Sequence, residues 1–207
     1  MFLTIHNKKR KMKPVDDYIL AKISDDLYYT IGDYKKDIYN FTLDTRSNIC
    51  NALKIRLLQR YVVPCLNSSN RNGFNMMANS CLVIETLESF HNGWENSPKH
   101  GKAFLSFFKR SKRFVDFSDN GIPRIFYEKI RCGILHQGET ESGWRLRRDN
   151  TEIICLTEKT INAEKFMLEL KKEIEEYFDN LIKIETKETD WSNIIKKMDY
   201  IIKNCET

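Results

Sequence analysis

The stretch Tyr127-Glu128-Lys129-Ile130-Arg131-Cys132-Gly133-Ile134-Leu135-His136-Gln137-Gly138-Glu139-Thr140 reads as the closing turns of a helix. Gly138 stands just past the apolar pattern, where a left-handed cap residue ends a helix. His136 therefore falls in the last turn, whose unpaired carbonyls favour a cation. Arg131 precedes it by five positions. An arginine with a helix-terminal histidine suits phosphate chemistry, and the surrounding sequence has to say whether this pair is used for it.

Upstream of the stretch the chain is basic. Residues 101–131 hold eight cations (Lys102, Lys109, Arg110, Lys112, Arg113, Arg124, Lys129, Arg131) and three carboxylates (Asp116, Asp119, Glu128), a local balance of +5 that equals the net charge of the whole chain. Such a field attracts a polyanion such as nucleic acid; a solvated helix face is the alternative. Pro123, after the turn Asp119-Asn120-Gly121, suits a helix start. Before it, Ser97-Pro98 opens a helix with Ala103, Phe107, Phe108 and Phe114 inward. Aromatics between basic residues form either core or a base-stacking surface, and helical spacing favours core.

Further back, Asn75 to Asn92 has the pattern of a strong helix, with Val83, Leu87, Phe90 and Trp94 continuing one stripe. Glu85 follows the apolar run Cys81-Leu82-Val83-Ile84. Either it faces water, or it is partly buried and needs a cation, for which Arg131 and His136 are the candidates. Tyr18 to Phe41 shows apolar residues three or four apart, which predicts a long helix or two helices broken at Gly32-Asp33. Asp44 or Thr45 caps the next helix and Pro64 stops it. Asn67 to Gly73 reads as a polar loop.

Downstream the period changes. Trp144-Arg145-Leu146-Arg147-Arg148 alternates, Asp149-Asn150-Thr151 makes a turn, and Glu152-Ile153-Ile154-Cys155-Leu156 returns as a strand, which predicts one β-hairpin with Arg145 and Arg147 on its polar face. Those arginines either contact phosphate or stay solvated. Asn162 caps a long helix bearing Phe166, Leu170, Ile174 and Phe178. After a polar joint at Glu185 to Glu188, a last helix carries Trp191, Ile194, Met198 and Ile202. The expected fold is all-α: a bundle of about six to seven helices and a small hairpin after the motif helix. Residues 1–14 form a basic N-terminal arm and 15–207 a single domain, with 15–66 as N-terminal helices, 74–184 as core and 189–205 as C-terminal helix.

At 207 residues, 41% hydrophobic and 30% charged, the chain fits one wet-surfaced helical domain. Six cysteines lack any Cys-x-x-Cys pair, and no apolar run approaches a membrane span, so a reduced, cytoplasmic protein is expected. Phosphate-loop, dinucleotide and His-Glu-x-x-His motifs are absent, and His6, His91, His100 and His136 lack metal-ligand spacing. No metal or cofactor is expected. Cys132 with His136 four residues on leaves thiol chemistry as a minor reading. The Arg131/His136 pair matches phosphodiester cleavage better. RNA supplies its own 2′-hydroxyl nucleophile, an imidazole moves protons, and a guanidinium takes the charge on the phosphorane. Positions five apart lie roughly 140° apart around a helix, so convergence needs a long reach, an irregular turn or a second chain.

The segment Phe126 to Thr140 resembles the Arg-x(4–6)-His motif of the HEPN superfamily. With Gly143-Trp144-Arg145-Leu146-Arg147-Arg148, Ile161-Asn162-Ala163-Glu164-Lys165-Phe166, the earlier Val83-Ile84-Glu85-Thr86-Leu87-Glu88-Ser89-Phe90 and Gly93-Trp94, it resembles a plasmid-borne bacterial branch of that superfamily over roughly residues 75–180. The resemblance implies a helical domain that dimerises with both motif helices lining one cleft. It implies a metal-independent endoribonuclease of a toxin or phage-defence system, with Arg131 and His136 catalytic. Beside that pair, Glu85, Cys132 and Gln137 are expected as supporting residues, and Arg145 and Arg147 as RNA contacts if the hairpin face is not simply solvated. Implied partners are RNA, a second copy, and a cognate antitoxin or nucleotidyltransferase. Inactive members of the superfamily bind nucleotides or partners. Many active members carry a polar residue directly after the arginine, where this chain has Cys132.

Overall fold

A computed structural model of the chain describes residues 14–68, 72–119, 121–149, 152–183 and 187–205. Helices dominate, as the sequence predicts: α1 (Ile31–Tyr39), α2 (residues 43–66), α3 (Gly73–Asn92), α4 (Lys102–Arg110), the motif helix α5 (residues 122–137), α6 (Ala163–Leu181) and α7 (Glu188–Lys203). Their starts follow from local chemistry. Thr30 and Asp33 form a capping box on α1, Thr42 and Thr45 another on α2, and the Asn162 side chain accepts from the Lys165 N–H at 3.0 Å on α6. α3 is the axis of the bundle. It packs against α4, α6 and α7, while α6 also meets α2. Met76, Met77, Cys81, Val83, Ile84, Leu87 and Phe90 of α3 are all buried, so the helix is covered on more than one side.

The motif helix is anchored by aromatic packing. Phe104, Phe107 and Phe108 of α4, Phe114 and Phe117 of the following turn, Phe126 of α5 and Phe166 of α6 are buried together. Phe108 stacks on Phe117 at 4.9 Å and Phe126 on Phe166 at 5.4 Å between centroids. Each such ring contributes about 1.5–3 kcal/mol through burial. These phenylalanines are core, and none offers a base-stacking surface.

Four details differ from the sequence reading. The span from Tyr18 opens as an antiparallel hairpin, β1 (Ile19–Lys22) with β2 (Tyr28–Thr30), and helix begins only at Ile31. Tyr28-Tyr29-Thr30 favours extended backbone, Lys22 ties Asp25 across the turn at 2.8 Å, and Leu20 and Ala21 bury toward α2. The α2 cap is Thr42, and Pro64 does not stop the helix. A π-helical turn (Leu58–Val62) precedes Val63–Leu66, where Pro64 sits at the start of a new turn and its missing N–H is tolerated. The helix placed after Ser97-Pro98 starts at Lys102, behind Gly101 at φ 72°. Lastly, β3 (Arg145–Arg147) does not pair with β4 (Ile154–Cys155). The fully buried strand β5 (Thr160–Asn162) lies between them, parallel to β3 and antiparallel to β4. Apart from Pro14, the basic N-terminal segment lies outside the described residues, as do Asn150 and Thr151 of the expected turn. Among the described residues no helix is long and apolar enough to cross a membrane.

Candidate functional site

The motif helix is not one uniform rod. Ile122–Ile125 is α-helical, Phe126–Arg131 is π-helical, and Cys132–Gln137 is α-helical again, with the Cys132 N–H donating to the Tyr127 carbonyl. Gly138 ends it at φ 73°, its N–H donating to the Ile134 carbonyl. The chain then folds back along the helix. Glu141 N–H donates to the Lys129 carbonyl at 2.9 Å, and the Lys129 ammonium lies 3.4 Å from the Glu141 carboxylate. Gly133 permits this return, because the Glu139 carbonyl lies where a Cβ would stand. The π turn and the returning loop thus bracket Arg131 and His136.

Arg131 is held from α3. Its Nε donates to Glu85 Oε1 at 3.1 Å, and the two side chains are 20% and 16% exposed. Of the two cations the sequence offered Glu85, the structure selects Arg131. The Tyr127 ring centroid lies 5.7 Å from the guanidinium. Burial alone would lower the Arg131 pKa; the Glu85 carboxylate outweighs it and holds the guanidinium above its ordinary range. Neither terminal nitrogen of Arg131 donates to an oxygen among the described residues. Half-buried Cys132 lies beside both Arg131 and Tyr127; burial first, and then this thiol, push the Tyr127 phenol up. Cys81, one turn before Glu85 on α3, is fully buried, and that burial pushes its thiol up.

His136 and Gln137 are exposed on the last turn. The segment between Arg131 and His136 is α-helical, so the π turn before it does not rotate them together. They remain roughly 140° apart on one helix. A single chain therefore presents the guanidinium and the imidazole in different directions. Arg145 and Arg147 sit on exposed positions of β3 with Leu146 half-buried between them, as alternation predicts. Arg147 is engaged, both its Nε and Nη2 donating to Asp149 at 2.9 Å, and this fork holds the Asp149 carboxyl down at about 2. Among the described residues the Arg145 side chain reaches only the Glu158 carbonyl, at 3.3 Å.

One element of the site escaped the sequence reading. Glu88, three residues beyond Glu85 on α3, is fully buried and takes Nε and Nη2 of Arg110 at 3.2 and 2.7 Å. Arg110 Nη1 continues to Glu173 of α6 at 3.1 Å, and Ser111 Oγ donates to the same carboxylate at 2.8 Å. This clamp ties α3, α4 and α6 one turn from the Glu85–Arg131 pair. The signal was a second glutamate at helical spacing in an apolar helix. Comparison of the chain with protein-family models, curated proteins and solved structures returns no match.

Proposed function

We propose that this chain is a metal-independent endoribonuclease of the HEPN type, of a toxin or phage-defence system, acting on single-stranded RNA. The 2′-hydroxyl attacks the adjacent phosphorus, His136 moves the protons, and Arg131 balances charge on the phosphorane. The products are a 2′,3′-cyclic phosphate and a 5′-hydroxyl. The observation that carries this reading is the state of Arg131. Glu85 fixes its Nε side at 3.1 Å, the Cys132 thiol is its other side-chain hydrogen-bond partner, and the terminal fork donates to no oxygen among the described residues, which leaves donors for a phosphate.

The divergence of Arg131 and His136 favours a site built by two copies with their motif helices side by side. Leu82 is three residues before Glu85 on α3 and Leu135 four after Arg131 on α5, so each shares a face with one half of the ion pair. Both are exposed, at 40% and 38%, and Phe74, two turns before Leu82, is 40% exposed. This apolar stripe beside the site suits a second copy. An antitoxin or nucleotidyltransferase partner belongs to the same reading.

A second reading, a silent module that binds RNA or nucleotide, is favoured by one observation: Glu85 already offsets the Arg131 charge. The deciding experiment incubates purified protein with labelled single-stranded RNA in chelator. The nuclease reading predicts cyclic-phosphate products that vanish in Arg131→Ala and in His136→Ala; cleavage surviving both sinks it. Retention of RNA without cutting supports the binding module.

A further inference from the structure

Between the N-terminal end of α2 and α7 lies an open cavity of about 570 Å³ lined by Phe41, Arg46, Glu188, Trp191, Ser192, Ile195, Lys196 and Asp199. Its wall is a cation held on two rings. The Arg46 guanidinium carbon sits 4.5 Å from the Phe41 centroid and 5.6 Å from that of Trp191, and the two rings meet edge to face at 5.1 Å. Arg46 makes no ion pair or hydrogen bond among the described residues, and its Nε is closed to water. Trp191 is only 3% exposed, and its indole N–H likewise has no acceptor. Tyr34, 2% exposed, also has an unpartnered hydroxyl; burial first, and then the charge of Asp199, push its phenol up. Buried donors without partners are rare in native proteins; these three atoms are closed to solvent, which leaves the terminal nitrogens of Arg46 as the donors a ligand can reach.

The cavity's other charges are equally uncommitted. Glu188, Lys196 and Asp199 make no ion pair among the described residues, although all three line one space with Arg46. Two carboxylates argue against a phosphate or other pure anion, and two cations argue against a simple cation. Phe41, Trp191 and Ile195 supply an apolar surface between them.

We propose that this cavity binds a zwitterionic α-amino acid with an apolar side chain. Its carboxylate is taken by the terminal nitrogens of Arg46, its ammonium by the Glu188 and Asp199 side, and its side chain rests on Phe41 and Ile195. The site is separate from Arg131 and His136, so the proposal stands independently of the nuclease reading.

The test is calorimetric titration of the full chain with L-phenylalanine and L-leucine, alongside L-phenylalaninamide and N-acetyl-L-phenylalanine. Saturable binding of a free amino acid is expected, weakened about tenfold or more in the amide and in the acetylated compound, the loss one charge-assisted hydrogen bond carries. Arg46→Gln, checked for unchanged helix content, weakens it similarly, and Arg131→Ala leaves it unchanged. No saturable binding by either amino acid overturns the proposal, as does binding indifferent to Arg46→Gln. Equal binding of the acetylated compound also overturns it, by showing that an anion site alone is present.

Discussion

Gly133 lacks a side chain where the returning loop presses hardest, with the Glu139 carbonyl in the place of a Cβ. Gly133→Ala is expected to cost about 1–3 kcal/mol, the usual penalty of overpacking. Urea denaturation reads that loss directly, and RNA cleavage should fall with it because the loop brackets Arg131 and His136. Glu88 is the second residue whose role is fixed by position. Fully buried between Arg110 and the core, it cannot lose its charge partner cheaply. Arg110→Ala is expected to destabilise the fold by about 3–5 kcal/mol, because it strands a buried carboxylate; an unchanged urea midpoint would contradict the clamp. At this scale the sequence was half legible. Glu85 after four apolar residues left open whether it faces water or takes a cation, while Asn162 and Gly138 announced helix ends. Which cation Glu85 takes depended on how α3 lies against α5, and no local pattern encodes that.

Elements were legible where one period dominates and obscure where two compete. The stripes of α3, α6 and α7 exceed four turns, long enough for helical spacing to be unambiguous. Residues 18–30 share apolar spacing with a helix, yet Tyr28-Tyr29-Thr30 prefers extended backbone and the Ser24-Asp25-Asp26 bend allows it to pair. The π turns at Leu58–Val62 and Phe126–Arg131 shift a stripe by about 100° for one inserted residue, and no residue type in the sequence announces where that shift falls. The strand order β3-β5-β4 was hidden for a different reason: its central strand is three residues long and followed directly by α6. The anchoring of α5 rests on the phenylalanine cluster. Phe108→Ala, at its centre, is expected to cost about 3–5 kcal/mol in thermal or urea unfolding. Leu82→Glu with Leu135→Glu touches only exposed positions, so the fold should keep its melting temperature. Sedimentation should instead show a shift from dimer to monomer.

Across the whole molecule, buried thiols and phenols set an alkaline limit. Burial holds the Cys50 thiol up at about 12, against an ordinary 9.0, and it raises Tyr29, Tyr34 and Tyr177 in the same direction. Each of these groups keeps its proton in the folded chain and releases it sooner once unfolded. Stability is therefore full below the unfolded values and falls as pH rises from about 9 toward 12. Cys50→Ala should flatten the first part of that fall in urea midpoints measured across alkaline pH. On the proposed nuclease reading the site spans two chains: Arg131 of one copy and His136 of another act on one phosphate. It is tested most directly by metal-free cleavage of single-stranded RNA with Arg131→Ala, His136→Ala and their equimolar mixture. Each variant alone is expected to be silent and the mixture to recover about a quarter of wild-type activity, since random pairing makes half the dimers mixed and each holds one intact site. A wild-type protein that does not cut, a single variant that cuts normally, or a mixture that stays silent beside an active wild type would contradict it.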